Sequence, residues 1–215
     1  MLTVSNLKVV KSGKTVLDGI AFSAHPGDRI ILSGESGCGK STLIRSLIFF
    51  ECFSSGEIRY QNEIISSQNI HEYRRHCVYV GQKPPMYDGT VRAYINLPYS
   101  FKNNCCDQPS GDRIREALSR FDLSRSILSQ PYSTLSGGEQ QRVTLIQGLL
   151  LDRPILLLDE VTSSLDPGNV NRVVDTILED KKRIVIAVTH QERWQQSGIR
   201  SFEIREGRLM QKESP

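Results

Sequence analysis

Nothing in this 215-residue chain constrains its fold more than Gly34–Thr42, which reads GESGCGKST. A glycine, four residues and then Gly39-Lys40-Ser41 is the spacing of a phosphate-binding loop. Glycines allow backbone N–H groups to curl around a polyphosphate where a Cβ would block the approach. Lys40 can reach the outer phosphates as a point charge, and the Ser41 hydroxyl can ligate Mg²⁺. The flanks agree with this reading. Arg29-Ile30-Ile31-Leu32 has the length and β-branching of a buried strand. From Thr42 to Ile48 apolar residues recur at helical spacing, so the loop ends on a helix N-terminus that favours anions.

Composition narrows the function classes. Lysine and arginine exceed the acidic residues by 27 to 24, a net charge of +3, and they are scattered, which gives no footprint for nucleic acid. No uninterrupted apolar run reaches the length of a membrane span, and the first residues lack a signal peptide's charged start and long apolar middle. Five cysteines, an odd number without a CxxC pair, point to a reducing compartment and a cytosolic type of protein.

Taken in order, Leu2–Val4, Leu7–Val10 and Val16–Phe22 read as short strands around a turn at Ser12-Gly13-Lys14, and their spacing suggests antiparallel pairing. Glu57–Tyr60 and His76–Val80 read as further strands, the second ending at Gly81-Gln82-Lys83. Residues 84–110 are crowded with proline, asparagine, tyrosine and cysteine and read as loop. Helical spacing returns at Ile114, Ala117, Leu118 and Phe121, and Ser136 is placed to cap a helix running to about Leu151. Pro154 and the run Ile155–Leu158 resume an α/β pattern, followed by a helix with Val170, Val173, Val174, Ile177 and Leu178 inward. A strand over Arg183–Val188 ends at Thr189-His190, and a hairpin closes the chain around Glu206-Gly207. The expected organisation is one domain, residues 1–215. Its core is built from 1–84 and 151–215, with a mostly helical insertion of about 85–150 between them.

Strands with polar residues at their carboxyl ends place a ligand site along that edge of a sheet. Asp159 can hold the Mg²⁺ that bridges the outer phosphates, through water, and Glu160 beside it can polarise the attacking water. Leu135–Arg142, LSGGEQQR, is the most discriminating stretch. Ser136, Gly137 and Gly138 at a helix start form a second anion site far along the chain from the first. One nucleotide does not need both on one protomer. Two protomers facing head to tail would use both, each covering the other's phosphate loop.

These motifs resemble those of the ATP-binding subunits of ABC transporters. The likeness runs from about Leu2 to Met210 and rests on GESGCGKST, Gln82 after a strand, LSGGEQQR, ILLLDE, Ser163-Ser164-Leu165-Asp166 and His190 in that order. The resemblance implies a P-loop NTPase of the ABC type: a RecA-like core, an antiparallel β subdomain and an inserted helical subdomain. It implies ATP and Mg²⁺ as ligands, bound by Gly34, Glu35, Ser36, Gly37, Cys38, Gly39, Lys40, Ser41 and Thr42. It further implies that the glutamine matching Gln82 contacts the metal and signals to a membrane partner, that the aspartate matching Asp166 lies at a dimer interface, and that the histidine matching His190 meets the terminal phosphate. The expected catalytic set is Lys40, Gln82, Glu160 and His190, and the expected metal set Ser41, Gln82 and Asp159. The expected partners are a second copy in the ATP-bound state and an integral membrane permease, which would hold the chain at the cytoplasmic face of the membrane. A soluble ABC-type ATPase of cluster assembly or cell-division regulation is the alternative.

Within the family the chain is similar to bacterial Fet-type subunits linked to iron export, through Asp88-Gly89-Thr90-Val91, Asn96-Leu97-Pro98, the short insertion and Leu156–Asp166. One departure stands out. The family's adenine-stacking aromatic falls near Val10 or Lys11, and neither is aromatic. Of the remaining signals, Cys38 lies inside the phosphate loop beside Lys40. His71, His76 and Cys77 have no ligand spacing, and Trp194 reads as a packing residue.

Overall fold

The structure, a computed structural model, describes residues 1–194 and 198–212. The chain divides into two compact units, the first made of Met1–Tyr79, Arg153–Glu160 and Asp180–Pro215, the second of Val80–Asp152 and Val161–Glu179.

The first unit carries two sheets. Strands β1 (Leu2–Lys11) and β2 (Lys14–Ala24) pair antiparallel through Ser12 and Gly13, whose φ angles of 48° and 77° suit a tight two-residue hairpin. The two short strands expected before this turn are one continuous strand. It passes through Asn6 in the left-handed region, and the register shifts between Val4 and Leu7, so the bulge re-aims the pleat without ending the ladder. Strands β4 (Ser55–Tyr60) and β5 (Glu63–Ile64) complete a four-stranded sheet in the order β2-β1-β4-β5.

The second sheet holds β3 (Arg29–Ser33), β6 (Cys77–Val80), β7 (Ile155–Asp159), β8 (Ile184–Val188), β9 (Arg200–Arg205) and β10 (Arg208–Gln211), ordered β10-β9-β3-β8-β7-β6. β3 runs parallel to β8 and β9, and β7 parallel to β8, while β10 turns back antiparallel on β9. The expected chain-end hairpin is therefore present, and its first strand also extends the parallel sheet. β7 and β8 are buried along their whole length, as continuous apolar runs in a parallel sheet must be. Helices α1 (Lys40–Leu47) and α2 (Ile70–Arg74) belong to this unit. Leu43, Ile44 and Leu47 of α1 are fully buried in one core with Leu32, Leu157 and Ile186 of the sheet.

The second unit is helical. Residues 84–110, expected as loop, contain α3 (Val91–Asn96) followed by a 3₁₀ turn at Leu97–Ser100. Thr90 caps α3 by accepting from the Ala93 N–H at 3.2 Å, and Val91, Tyr94 and Ile95 bury one face. Proline and asparagine density hid a helix less than two turns long. α4 (Gly111–Arg120) is capped by Ser110, α5 (Gly137–Leu150) by Ser136, and α6 (Pro167–Glu179) opens on proline, whose fixed φ and missing N–H suit a first position. Along α5, Val143, Leu145 and Ile146 are fully buried and Leu149 only partly.

Candidate functional site

The phosphate loop leaves β3 at Ser33 and enters α1 at Lys40. Gly34 and Gly39 have φ of 140° and 106°. A Cβ on Gly34 would lie 2.6 Å from the Ile204 carbonyl oxygen, and one on Gly39 would lie 2.9 Å from Leu17 Cδ2. At these two positions glycine is required by the protein's own packing as well as by the approach of a ligand. Gly39 caps α1 without a side-chain bond, so the first N–H groups of that helix point out of the loop.

Lys40 is buried to within a few per cent and ties the loop together. Its ammonium donates to the carbonyls of Gly34 at 2.8 Å and Glu35 at 2.7 Å. Cys38 is half-buried and packs against the core, its sulfur 2.8 Å from where a Gly34 Cβ would sit.

Asp159 ends β7 and is buried. Its Oδ1 accepts from the Ser41 hydroxyl at 2.8 Å and its Oδ2 from the Tyr79 phenol at 3.2 Å. Arg45 donates from Nε to the Tyr79 oxygen at 3.3 Å, and its Nη2 lies 4.0 Å from Asp159 Oδ2. Burial pushes the Tyr79 phenol above its ordinary pKa, with the Arg45 hydrogen bond opposing, so at neutral pH the phenol is a neutral donor.

Glu160 follows in the left-handed region at φ 51°, and its N–H donates to the Val188 carbonyl at 3.0 Å. That bond, with the one from Thr189 N–H to Leu32 O at 3.2 Å, joins the carboxyl ends of β7, β8 and β3. His190 stands one residue beyond, its Nε2 3.9 Å from Glu160 Oε1, with a side chain 55% exposed against 25% for the glutamate. The first unit thus brings together, on one sheet edge, Gly34–Thr42, Asp159, Glu160 and His190.

Gln82, Ser136, Gly137, Gly138 and Asp166 lie in the second unit. Gln82 is exposed after β6. Ser136 and Glu139 form a reciprocal cap: the Ser136 N–H and hydroxyl donate to Glu139 Oε2 at 2.9 and 2.7 Å, and the Glu139 N–H donates back to Ser136 Oγ at 3.3 Å. The Ser136 hydroxyl and then its N–H hold the Glu139 carboxyl below its usual pKa. Asp166 caps α6. Its carboxylate accepts from the Asn169 N–H at 3.0 Å and side-chain amide at 2.5 Å, which lowers its pKa. Arg142 of α5 donates to Asn169 Oδ1 at 2.6 Å, so Ser136–Gly138 and Asp166 rest on one linked pair of helices.

Sequence reading missed Tyr79, Arg45 and the Arg142–Asn169 bond. A signal for Arg45 existed, since it stands four residues after Ser41 on the same helix face. Strand alternation likewise separates Tyr79 from Val78 and Val80.

A family model described as ABC transporter matches residues 17–163. The chain belongs to the ABC transporter family. This cassette is 33% identical over 193 residues to the probable iron export ATP-binding protein FetA of Escherichia coli strain K12, covering 88% of this chain and 84% of that protein. It is 32% identical to the ATP-dependent mitochondrial permease MDL1 of Schizosaccharomyces pombe, but spans only 25% of its length. Among solved structures, cbiO1 from Clostridium perfringens, part of the transporter complex cbiONQ, matches with a TM-score of 0.79 at 25% identity, covering 97% of this chain and 86% of that one. An ATP-binding cassette solved as a dimer with ADP and Pi matches with a TM-score of 0.85 at 23% identity, over 100% of this chain and 99% of that one, and supports the shared fold. The ABC cassette is thus an ATP-binding transporter subunit, and its ATP hydrolysis is coupled to transport. Among the described residues, no helix is long and apolar enough to cross a membrane.

Proposed function

We propose that the cassette dimerises head to tail around two MgATP molecules and drives a membrane permease that exports a metal ion, iron being the named cargo of the Escherichia coli relative. The observation that carries the catalytic part is the bond from the Ser41 hydroxyl to the buried Asp159, 2.8 Å long, beside Lys40 and Glu160. Two hard oxygen donors at the end of a phosphate loop fit Mg²⁺. When bound there, Mg²⁺ would neutralise phosphate charge.

The chain's own residues do the rest. Lys40 exchanges its carbonyl partners for phosphate oxygens and stabilises charge that develops on them. Glu160 orients and polarises the attacking water, and His190 at 3.9 Å steadies the carboxylate and meets the terminal phosphate. Gln82 is the sensor facing the permease. Ser136, Gly137 and Gly138 supply anion-binding N–H groups to the partner protomer's nucleotide, with Asp166 beside them at the dimer interface.

A groove of about 620 Å³ in the helical unit supports the permease contact. It is lined by Pro84, Pro85, Met86 and Tyr87 among others, and the Met86 side chain is fully exposed. The deciding experiment is a tagged Glu160→Gln pull-down from detergent-solubilised membranes with MgATP and mass spectrometry of what co-purifies. A stoichiometric polytopic membrane protein supports the transporter reading, and metal-dependent growth of cells lacking that protein names the cargo. Recovery of soluble partners alone, or of the homodimer alone, moves the assignment to the cluster-assembly or regulatory class.

A further inference from the structure

Asp159 has a second partner that neither a phosphate loop nor a water-activating carboxylate requires. Asp159 has two oxygens, and they face different neighbours. Oδ1 meets the Ser41 hydroxyl, and Oδ2 meets the Tyr79 phenol. The direction of the second bond is fixed by the third member of the chain. A guanidinium can only donate, so the Arg45 Nε–H at 3.3 Å must be accepted by the phenol oxygen. That leaves the phenol proton to point at Asp159 Oδ2, an ionised acceptor, for a charge-assisted bond. The Tyr79 ring is itself braced. It lies edge-on to Phe50 at 6.1 Å, and the Arg74 guanidinium covers Phe50 at 5.1 Å while its Nε donates to the Ile48 carbonyl at 2.8 Å.

We propose that Tyr79, aimed by Arg45, is a positioning residue that selects the cation. By holding Oδ2, it leaves Asp159 only Oδ1, on the Ser41 side, to offer a divalent ion or its bound water. This rests on the assignment of Ser41 and Asp159 to the metal. The consequence follows from coordination preferences. Ca²⁺ takes six to eight oxygens and readily binds a carboxylate through both of them. Mg²⁺ demands near-octahedral geometry, keeps several waters and uses one oxygen of a carboxylate. A carboxylate whose second oxygen is committed to a phenol serves Mg²⁺ well and denies Ca²⁺ its chelating mode. Such outer partners of a ligand commonly change metal affinity by about 10- to 100-fold when removed. Phenylalanine keeps the aromatic ring that meets Phe50 and removes only the hydroxyl, so Tyr79→Phe isolates the bond.

The test measures binding in the ADP-saturated protein. Mn²⁺ is observed by electron paramagnetic resonance and displaced with Mg²⁺ or Ca²⁺, and thermal melts of the ligand-free variants check that they fold. The expected result is that Tyr79→Phe lowers the preference for Mg²⁺ over Ca²⁺ at least fivefold, with Arg45→Gln moving the ratio the same way by less. General loosening of the site would weaken both ions together and leave the ratio where it was. An unchanged ratio in both variants overturns the inference. Asp159→Asn separates the two levels. If it leaves Mn²⁺ affinity at the wild-type value, the metal assignment itself fails. If it weakens Mn²⁺ while Tyr79→Phe keeps the wild-type ratio, the metal assignment stands and only the role given to Tyr79 falls.

Discussion

At the scale of single residues, the phosphate loop is held by contacts within the protein before any nucleotide is considered. Gly34 is the clearest case, because a methyl group there meets a backbone oxygen at 2.6 Å that has no side chain to swing away. Gly34→Ala should therefore lower thermal stability by about 1–3 kcal/mol as well as weaken nucleotide binding, and a melt of the ligand-free protein reads the first effect alone. Cys38 lies inside the same loop, half-buried and two residues before Lys40. Alkylation of Cys38 should abolish hydrolysis, and ATP should protect it. Full activity after mass spectrometry confirms the adduct would refute this. At the position where the family resemblance puts the base, Val10 is 40% exposed and Lys11 is paired with Glu51 at 2.8 Å, so neither provides an aromatic face. Stacking on an aromatic is worth about 1–3 kcal/mol per base. Without it, GTP should compete with ATP nearly as well as ATP itself, and a tenfold preference for ATP in competition would argue otherwise.

At the scale of elements, the start of α5 is the most exposed to a pH test. Ser136→Ala removes the cap and should cost about 1 kcal/mol of stability, read as a lower midpoint in urea. Glu139 adds a pH dependence with a definite sign. Its carboxyl pKa is lower folded than unfolded, because the Ser136 hydroxyl and N–H bond its ionised form. Its contribution is complete above its ordinary value of 4.5 and is lost as pH falls through the lowered folded value. Stability curves of wild type and Glu139→Gln should therefore converge in acid and separate above pH 4.5. If the gap between them widened in acid, the reciprocal cap would not be the cause. In the parallel sheet, Leu157 is fully buried between β6 and β8, and Leu157→Ala should cost about 2–5 kcal/mol. These elements were legible in sequence where one signal dominated: four apolar residues before Asp159 for β7, and Ser136 ahead of helically spaced apolar residues for α5. α3 was not legible. Its six residues depend on the stacking of Tyr94 against Tyr132 at 4.3 Å, a contact 38 positions away that no local pattern announces.

At the scale of the whole molecule, closure of two protomers is the step that hydrolysis should control. The Glu160→Gln variant, which lacks the carboxylate proposed to polarise water, should double its mass in gel filtration with MgATP and stay monomeric with MgADP. A monomer under both conditions would count against the head-to-tail dimer. The sequence by itself determined the family, the order of its motifs and the choice of Lys40, Ser41, Asp159 and Glu160 as candidates, because each sits at a fixed offset from a glycine turn or a buried strand. Only the tertiary structure decided how those residues are held. It brought Tyr79 and Arg45 onto Asp159 from 80 and 114 positions away in the chain, grouped Val161–Glu179 with the helical unit, and turned Glu160 through a left-handed backbone toward His190. The physical reason is that hydrogen bonds between distant strand ends follow from sheet order and register. Those are settled by packing of the whole core, while a loop of glycines carries its meaning in its own few residues.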